Sequence, residues 1–314
     1  MREIIKKATR EAYGDTLVEL GKEHKEIVVL DADLAGATKS GNFKKVFPLR
    51  FFDCGIAEGN MMSVAAGLAA AGKVPFASSF AMFASGRAFE QVRNSIGYPG
   101  LHVIIGASHA GLSVGEDGAT HQCLEDFALM AAIPGMTVLS PSDYYQTVNA
   151  VKAAYEMEGP VYIRLCRMAN ETFHNDENET FEVGKGIVLR EGSDVTLVAT
   201  GLLVAETLKA ADLLAEEGVS ARVIEMPTIK PLDLPLLQAA AKETKGLVTV
   251  EDHFAGCGMG AMIAAALAET TPARVIKVGV QDKFGQSGSP MDLFEAYGMT
   301  APHIKEKAML LMAE

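Results

Sequence analysis

The chain has 314 residues, of which 49% are hydrophobic and 22% charged, the balance of a globular protein long enough for two domains with sizeable cores. Its formal net charge is −12 and it contains no basic block, which argues against nucleic acid as a partner and leaves any anionic substrate to a few placed cations. The apolar runs are too short or too rich in glycine to span a bilayer, so no membrane association is expected.

Residues 3–24 carry Ile4, Ala8, Ala12, Leu17 and Leu20 at roughly helical spacing and predict an amphipathic first helix. Ile27-Val28-Val29-Leu30 is a short apolar run entering the polar segment Asp31-Ala32-Asp33-Leu34, the pattern of a buried strand and its loop. Phe51 and Phe52 close a further extended segment. Asp53-Cys54-Gly55-Ile56-Ala57-Glu58 then leads into Val64 to Ala70, a helix with no charged face. Such a helix is expected to be buried. That places Glu58 at a helix N-terminus, facing inward, where the dipole favours an anion and burial opposes one. A carboxylate satisfied by free backbone N–H groups and a functional carboxylate both suit this position.

Lys73 to Ala77 reads as a strand, Ala81 to Ile96 as a helix, and Leu101 to Gly106 as a third buried strand. A glycine-rich loop follows from Ala107 to Thr120, then a helix from His121 to Ala132 and a strand from Met136 to Leu139. Pro141-Ser142-Asp143 starts another helix, and Val161 to Leu165 is a strand. Strands alternating with helices predict a mainly parallel sheet covered on both faces. Ligands in such sheets bind beyond the carboxyl ends of strands, here the loops after Leu30, Ala77, Gly106 and Leu165. The polar, acidic stretch from Met168 to Glu182 breaks the pattern. A second α/β unit follows, with strands at 194–199, 221–225, 247–250 and 275–280. The expected division is one domain over 1–168, a linker over 169–184 and a second domain over 185–314.

The richest stretch runs from Ser108 to Gln122 and holds His109, Glu116, Asp117, Thr120 and His121 among glycines. Histidines beside acids can move protons or bind hydroxyl and phosphate groups; a solvated loop with a capping threonine is the plainer alternative. Arg10 and Arg167 are either surface ion pairs or the two ends of an anion clamp. Phe80 and Phe83 are either core or an aromatic wall. Gly256-Cys257-Gly258-Met259-Gly260 lacks the full dinucleotide spacing and reads as a tight turn. His109 and His121 show no metal-ligand spacing, so no metal site is expected on this chain. Cys54, Cys123, Cys166 and Cys257 are far apart, consistent with reduced thiols in a cytoplasmic protein.

Together these stretches resemble the C-terminal half of transketolase, from about Arg10 to the end. The resemblance is carried by Asp31-Ala32-Asp33-Leu34, Gly55-Ile56-Ala57-Glu58, Phe80 with Phe83, and the run Val114-Gly115-Glu116-Asp117-Gly118-Ala119-Thr120-His121-Gln122. Leu165-Cys166-Arg167 and Val250-Glu251-Asp252-His253 extend it. It implies a pyrimidine-binding domain followed by the family's C-terminal domain, with thiamine diphosphate and Mg2+ as cofactors. By the same resemblance Glu58 contacts the cofactor's aminopyrimidine, Phe80 and Phe83 pack it, and Asp33 lies on the cofactor side. Asp117, His121 and His109 face substrate, and Arg10 and Arg167 with His109 hold its phosphate end. Gly86, Ala37 and Gly59-Asn60 depart from the family's usual residues.

The 314 residues contain no Gly-Asp-Gly motif, which in the family binds diphosphate and metal. The resemblance therefore implies one subunit of a split transketolase, completed by an N-terminal subunit carrying that motif, most simply as two copies of each. The implied reaction is transfer of a two-carbon ketol unit from a ketose, phosphorylated by expectation, to an aldose. Deoxyxylulose phosphate synthase and the beta subunit of a 2-oxoacid dehydrogenase are the alternatives of similar fold; a non-catalytic scaffold is the alternative of another class.

Overall fold

The computed structural model describes residues 5–174 and 181–313. In chain order its strands are β1 (Lys6–Lys7), β2 (Ile27–Asp31), β3 (Phe51–Asp53), β4 (Val74–Phe80), β5 (Ile104–Ser108), β6 (Thr137–Leu139) and β7 (Val161–Arg164). β8 (Asn170–Glu171), β9 (Ile187–Arg190), β10 (Val195–Ala199), β11 (Ala221–Glu225), β12 (Thr228–Lys230), β13 (Leu247–Phe254) and β14 (Val275–Val280) follow. A seven-stranded sheet has the order β12-β6-β7-β5-β4-β2-β3 and a five-stranded sheet the order β14-β13-β10-β11-β9. Every pairing in them is parallel except β12 with β6 and β9 with β11. The chain thus forms the two-unit, mainly parallel α/β architecture that the alternation predicts.

The apolar runs lack a polar alternation because both of their faces are covered. Ile27 and Val29 point into a core with Tyr13, Leu17 and Leu20 of the helix Thr9–Glu23. Val28 and Leu30 point the other way, into a core with Met61, Met62 and Ala65 of the helix Glu58–Ala70. Burying one such side chain fully stabilises the fold by about 1.5–3 kcal/mol. The second core continues into the smaller sheet through Ile229, Ile224 and Val198. β12 follows the predicted linker in sequence yet completes the edge of the first sheet, so the two units are joined by hydrogen bonding as well as by packing.

Several predicted elements are corrected. The first helix starts at Thr9 and not at residue 3, because Lys6 and Lys7 pair with Glu171 and Asn170, and the Glu11 carboxylate accepts the N–H of Ala8 at 2.9 Å. Ile4 and residues 175–180 of the predicted linker lie outside the described residues. The helix predicted from His121 begins only at Asp126. The segment from Ala81 to Ile96 is helical but carries two π-type turns, Met82–Arg87 and Val92–Gly97. The helix Glu58–Ala70 is not buried all round: Val64 is 38% exposed, and Ile56 and Phe52 before it are 75% and 41% exposed. Among the described residues no helix is long and apolar enough to cross a membrane.

The glycine-rich loop is fixed from the second unit. Asp252, near the end of β13, accepts N–H groups from Leu112 at 2.8 Å and Ser113 at 3.2 Å. Gly111 has φ +80°, and a Cβ there would lie 2.1 Å from Asp252 Oδ2, so glycine is required at this approach. Gln122 donates to the carbonyls of Leu112 and Gly115 at 3.3 Å and of Gln286 at 2.9 Å. Burial pushes the Asp252 carboxyl above its ordinary pKa, against the pull of Arg164 and the two N–H groups.

Asp252→Ala is expected to leave two buried N–H groups unpaired, at about 1–3 kcal/mol each, for a loss of about 2–5 kcal/mol in urea unfolding. A change below about 1 kcal/mol would show that the loop does not depend on this anchor.

Candidate active site

Glu58 is the first residue of its helix, placed there by the turn Cys54 to Ala57 beyond β3. Its side chain is 1% exposed. It is not a capping carboxylate: its oxygens accept Arg87 Nη1 at 2.9 and 3.1 Å, and among the described residues no backbone N–H donates to it. Arg87 ends the π-type turn Met82–Arg87, and its guanidinium lies 4.4 Å over the ring of Phe83. Phe83 stacks with Phe80 at 5.9 Å and meets the edge of His121 at 5.4 Å. Phe80, the last residue of β4, stacks on His109 at 3.8 Å. His109, just past β5, faces Arg10 Nη1 at 3.4 Å. Glu58, Arg87, Phe83, Phe80, His121, His109 and Arg10 therefore form one continuous line of contacts across the carboxyl edge of the first sheet.

The tautomer of His109 follows from its partners. Arginine only donates, so Nε2 accepts from Arg10, and the proton sits on Nδ1, 2.9 Å from Ser108 Oγ. Burial first, then the like charges of Arg10 and Arg167, lower its pKa to about 3. Arg10 also donates to the carbonyl of Ala37 at 2.9 Å. The turn bearing Ala37 is shaped by Asp31, which accepts the N–H of Leu34 at 2.6 Å and the hydroxyls of Thr38 and Ser40 at 2.8 Å each. Burial pushes the Asp31 carboxyl up to about 6 in spite of those donors.

Arg167 Nη1 donates to the Val114 carbonyl at 2.5 Å and to Glu116 at 2.7 Å, so it sits on the same loop as the histidines. Asp33 and Asp117 stand apart. Both are exposed, and among the described residues neither side chain hydrogen-bonds a member of the line. Sequence reasoning missed Arg87 and Asp31. The signal for Arg87 was its spacing four residues after Phe83 on a predicted helix, which is faint. The glycine turn at 256–260 serves Glu251, whose carboxylate accepts the N–H groups of Met259 at 2.7 Å and Gly260 at 2.9 Å; the helix N-terminus there is filled by the chain's own anion. Chemically, an enclosed carboxylate beside an aromatic face suits a flat, nitrogen-bearing ring, and two arginines around a neutral imidazole suit a tetrahedral anion.

The model of the transketolase pyrimidine-binding domain matches residues 5–171, and that of the transketolase C-terminal domain matches residues 184–304. A protein of Methanocaldococcus jannaschii named as a transketolase C-terminal section is 48% identical over 97% of this chain and 96% of its own length. The 6-deoxy-6-sulfo-D-fructose transketolase subunit of a Clostridium species is 42% identical over 95% of this chain and 92% of its own. A solved split-gene transketolase, described as an inactive beta4 tetramer, is 51% identical with a TM-score of 0.91, over 98% of each chain.

For His109, a folded pKa of about 3 lies below the ordinary 6.5, so the stability it contributes is present above pH 6.5 and drains away as pH falls toward 3. Its ring should stay neutral down to about pH 4 in a heteronuclear NMR titration. A midpoint near 6 would show that burial and the two arginines do not hold the ring neutral.

Proposed function

The chain belongs to the transketolase family, and we propose that it is one subunit of a two-chain transketolase, with the pyrimidine-binding domain at 1–168, a linker at 169–184 and the C-terminal domain at 185–314. The observation that carries this reading is the enclosed carboxylate of Glu58 set against the Phe83, Phe80 and His109 line. Thiamine diphosphate, when bound, supplies the nucleophilic carbon that takes up and releases the two-carbon unit. Glu58 holds the aminopyrimidine by a hydrogen bond and shares a proton with it, while Phe80 and Phe83 pack its face and Asp33 borders the cofactor. Asp117 holds a hydroxyl near the transferred fragment. His121 handles hydroxyl protons, and neutral His109 binds the sugar. Arg10 and Arg167 grip the anionic end, with permanent charge and a fork of donors matched to a tetrahedral oxyanion. Mg2+ and the diphosphate fall to the N-terminal subunit bearing Gly-Asp-Gly, in an assembly of two copies of each chain in the cytoplasm. The description of the solved relative as an inactive beta tetramer supports the need for that second subunit. So does the apolar surface of Phe52, Ile56 and Val64 beside Glu58, which suits cover by another chain. The donor is a ketose with a tetrahedral anionic end, phosphorylated in the simplest case. The Clostridium relative is named for a sulfonated one.

Reconstitution tests the reading. Mixed with a Gly-Asp-Gly subunit, thiamine diphosphate and Mg2+, the chain should consume ketose. Glu58→Gln in the same mixture should lower kcat by ~10²–10⁴-fold while the unfolding midpoint holds. Undiminished turnover would reassign the carboxylate.

Arg167→Ala removes charge-assisted bonds of about 1.5–3 kcal/mol, so kcat/KM for phosphorylated donors should drop about ten- to hundredfold, and less for unphosphorylated ones. Equal losses on both donor types would take the arginine out of the clamp.

A further inference from the structure

Among the described residues Glu58 has one polar partner, and it is Arg87. A guanidinium is flat, cationic and edged with N–H donors. This one sets its central carbon 4.4 Å over the ring of Phe83 and one nitrogen against both Glu58 oxygens. Those two contacts, a planar group over Phe83 and an N–H on Glu58, are the ones assigned above to the aminopyrimidine. Two planar groups cannot use the same ring face and the same carboxylate at once.

We propose that Arg87 is a placeholder, a positioning residue whose guanidinium fills the aminopyrimidine seat and neutralises Glu58 until the cofactor displaces it. The inference rests on the reading of Glu58 given above. The need for a placeholder is physical. A carboxylate 1% exposed and unpaired is strongly destabilising, so Glu58 needs a partner at every stage before the ring is bound. The means of leaving is also present. The Arg87 side chain is 52% exposed, so its head can swing to water along a short path. It stands at the last position of a π-type turn, where the N–H of Ala88 is shared between the carbonyls of Gly86 and Phe83. Such turns are looser than an α-helix and are frequent at functional sites. The cofactor then competes with an internal ion pair. A pair closed nine-tenths of the time lowers the apparent affinity about tenfold.

The test uses the full-length chain alone and, as probe, the free hydroxymethyl-aminopyrimidine half of the cofactor, titrated by calorimetry and by the Arg87 side-chain NMR signal. Arg87→Ala should bind the ring about tenfold tighter than wild type. Arg87→Gln keeps a donor on Glu58 without the cation, protects the fold, and should also bind more tightly. In wild type the Arg87 signal should move toward that of a solvated arginine as the ring is added. Wild type binding as tightly as both variants would overturn the placeholder, as would failure of both variants to bind at all, since an emptied seat should accept the ring. Glu58→Gln made in the Arg87→Ala background, where no ion pair competes, separates the two readings. If it leaves ring affinity unchanged, the role of Glu58 fails. If it weakens binding while the Arg87 variants show no gain, only the placeholder fails.

Discussion

Arg164 ends β7 with its guanidinium out of water, and a buried cation persists only if it is paired and its donors are met. Its Nε donates to Asp126 at 2.8 Å, and Nη2 donates to the carbonyl of Asp252 at 2.8 Å and of Cys123 at 3.4 Å. Burial alone would lower its pKa; Asp126 and Asp252 raise it above the ordinary value instead. The partners come from three places: Asp126 opens the helix Asp126–Ala131, Cys123 lies in the segment before it, and Asp252 belongs to β13 of the other sheet. Docking of the two units and placement of the glycine-rich loop are therefore one event. The same Asp252 that offers its carbonyl to Arg164 offers its carboxylate to Leu112 and Ser113. In open parallel sheets the space beyond the carboxyl ends is where ligands bind. In the smaller sheet, groups of the first unit fill that space, with Ser140 accepting Thr200 Oγ1 at 3.3 Å beside them. The larger sheet keeps its own carboxyl edge for His109, Phe80 and Arg10.

How much of this is legible in the sequence depends on how local its cause is. The parallel strands announce themselves because burial on both faces makes every position apolar, as in Ile27 to Leu30. β12 does not, because Thr228-Ile229-Lys230 is short, antiparallel and defined by a partner, β6, nearly ninety residues earlier. Glu58 is legible as an inward carboxylate at a helix start. Its counter-ion is not, since Arg87 is 29 residues away and nothing in the intervening sequence couples them. The apolar helix after Glu58 misleads for a different reason. Composition registers only that no face is charged, and an unpartnered apolar face in a single chain has the same composition as a core helix. The loop from Ala107 to Thr120 is legible as a candidate site by its residue types, while the groups that hold it, Asp252 and Gln122, are visible only in three dimensions.

Backbone strain points to the same edge of the sheet without any appeal to family. Among the described residues, three that are not glycine have left-handed backbones: Asp33 at φ +63°, Lys39 at +68° and His109 at +58°. Each such residue costs about 1–2 kcal/mol relative to an ordinary conformation. A glycine at any of them would relieve it. Asp33 follows β2 and His109 follows β5, while Lys39 lies in the turn whose Ala37 carbonyl holds Arg10. The strain is offset by identifiable contacts. The Asp31 carboxylate gathers Leu34, Thr38 and Ser40 around the first turn, and His109 is held by Ser108, Phe80 and Arg10. At His109 the side chain explains why relief is forgone. Glycine would remove the ring that stacks at 3.8 Å on Phe80 and presents a bare Nε2 to Arg10. The fold spends conformational energy where it sets this imidazole, neutral and fixed in one tautomer, between an aromatic wall and a cation. Strained positions cluster at functional sites because packing elsewhere can hold them there, and in this chain they cluster where the candidate active site lies.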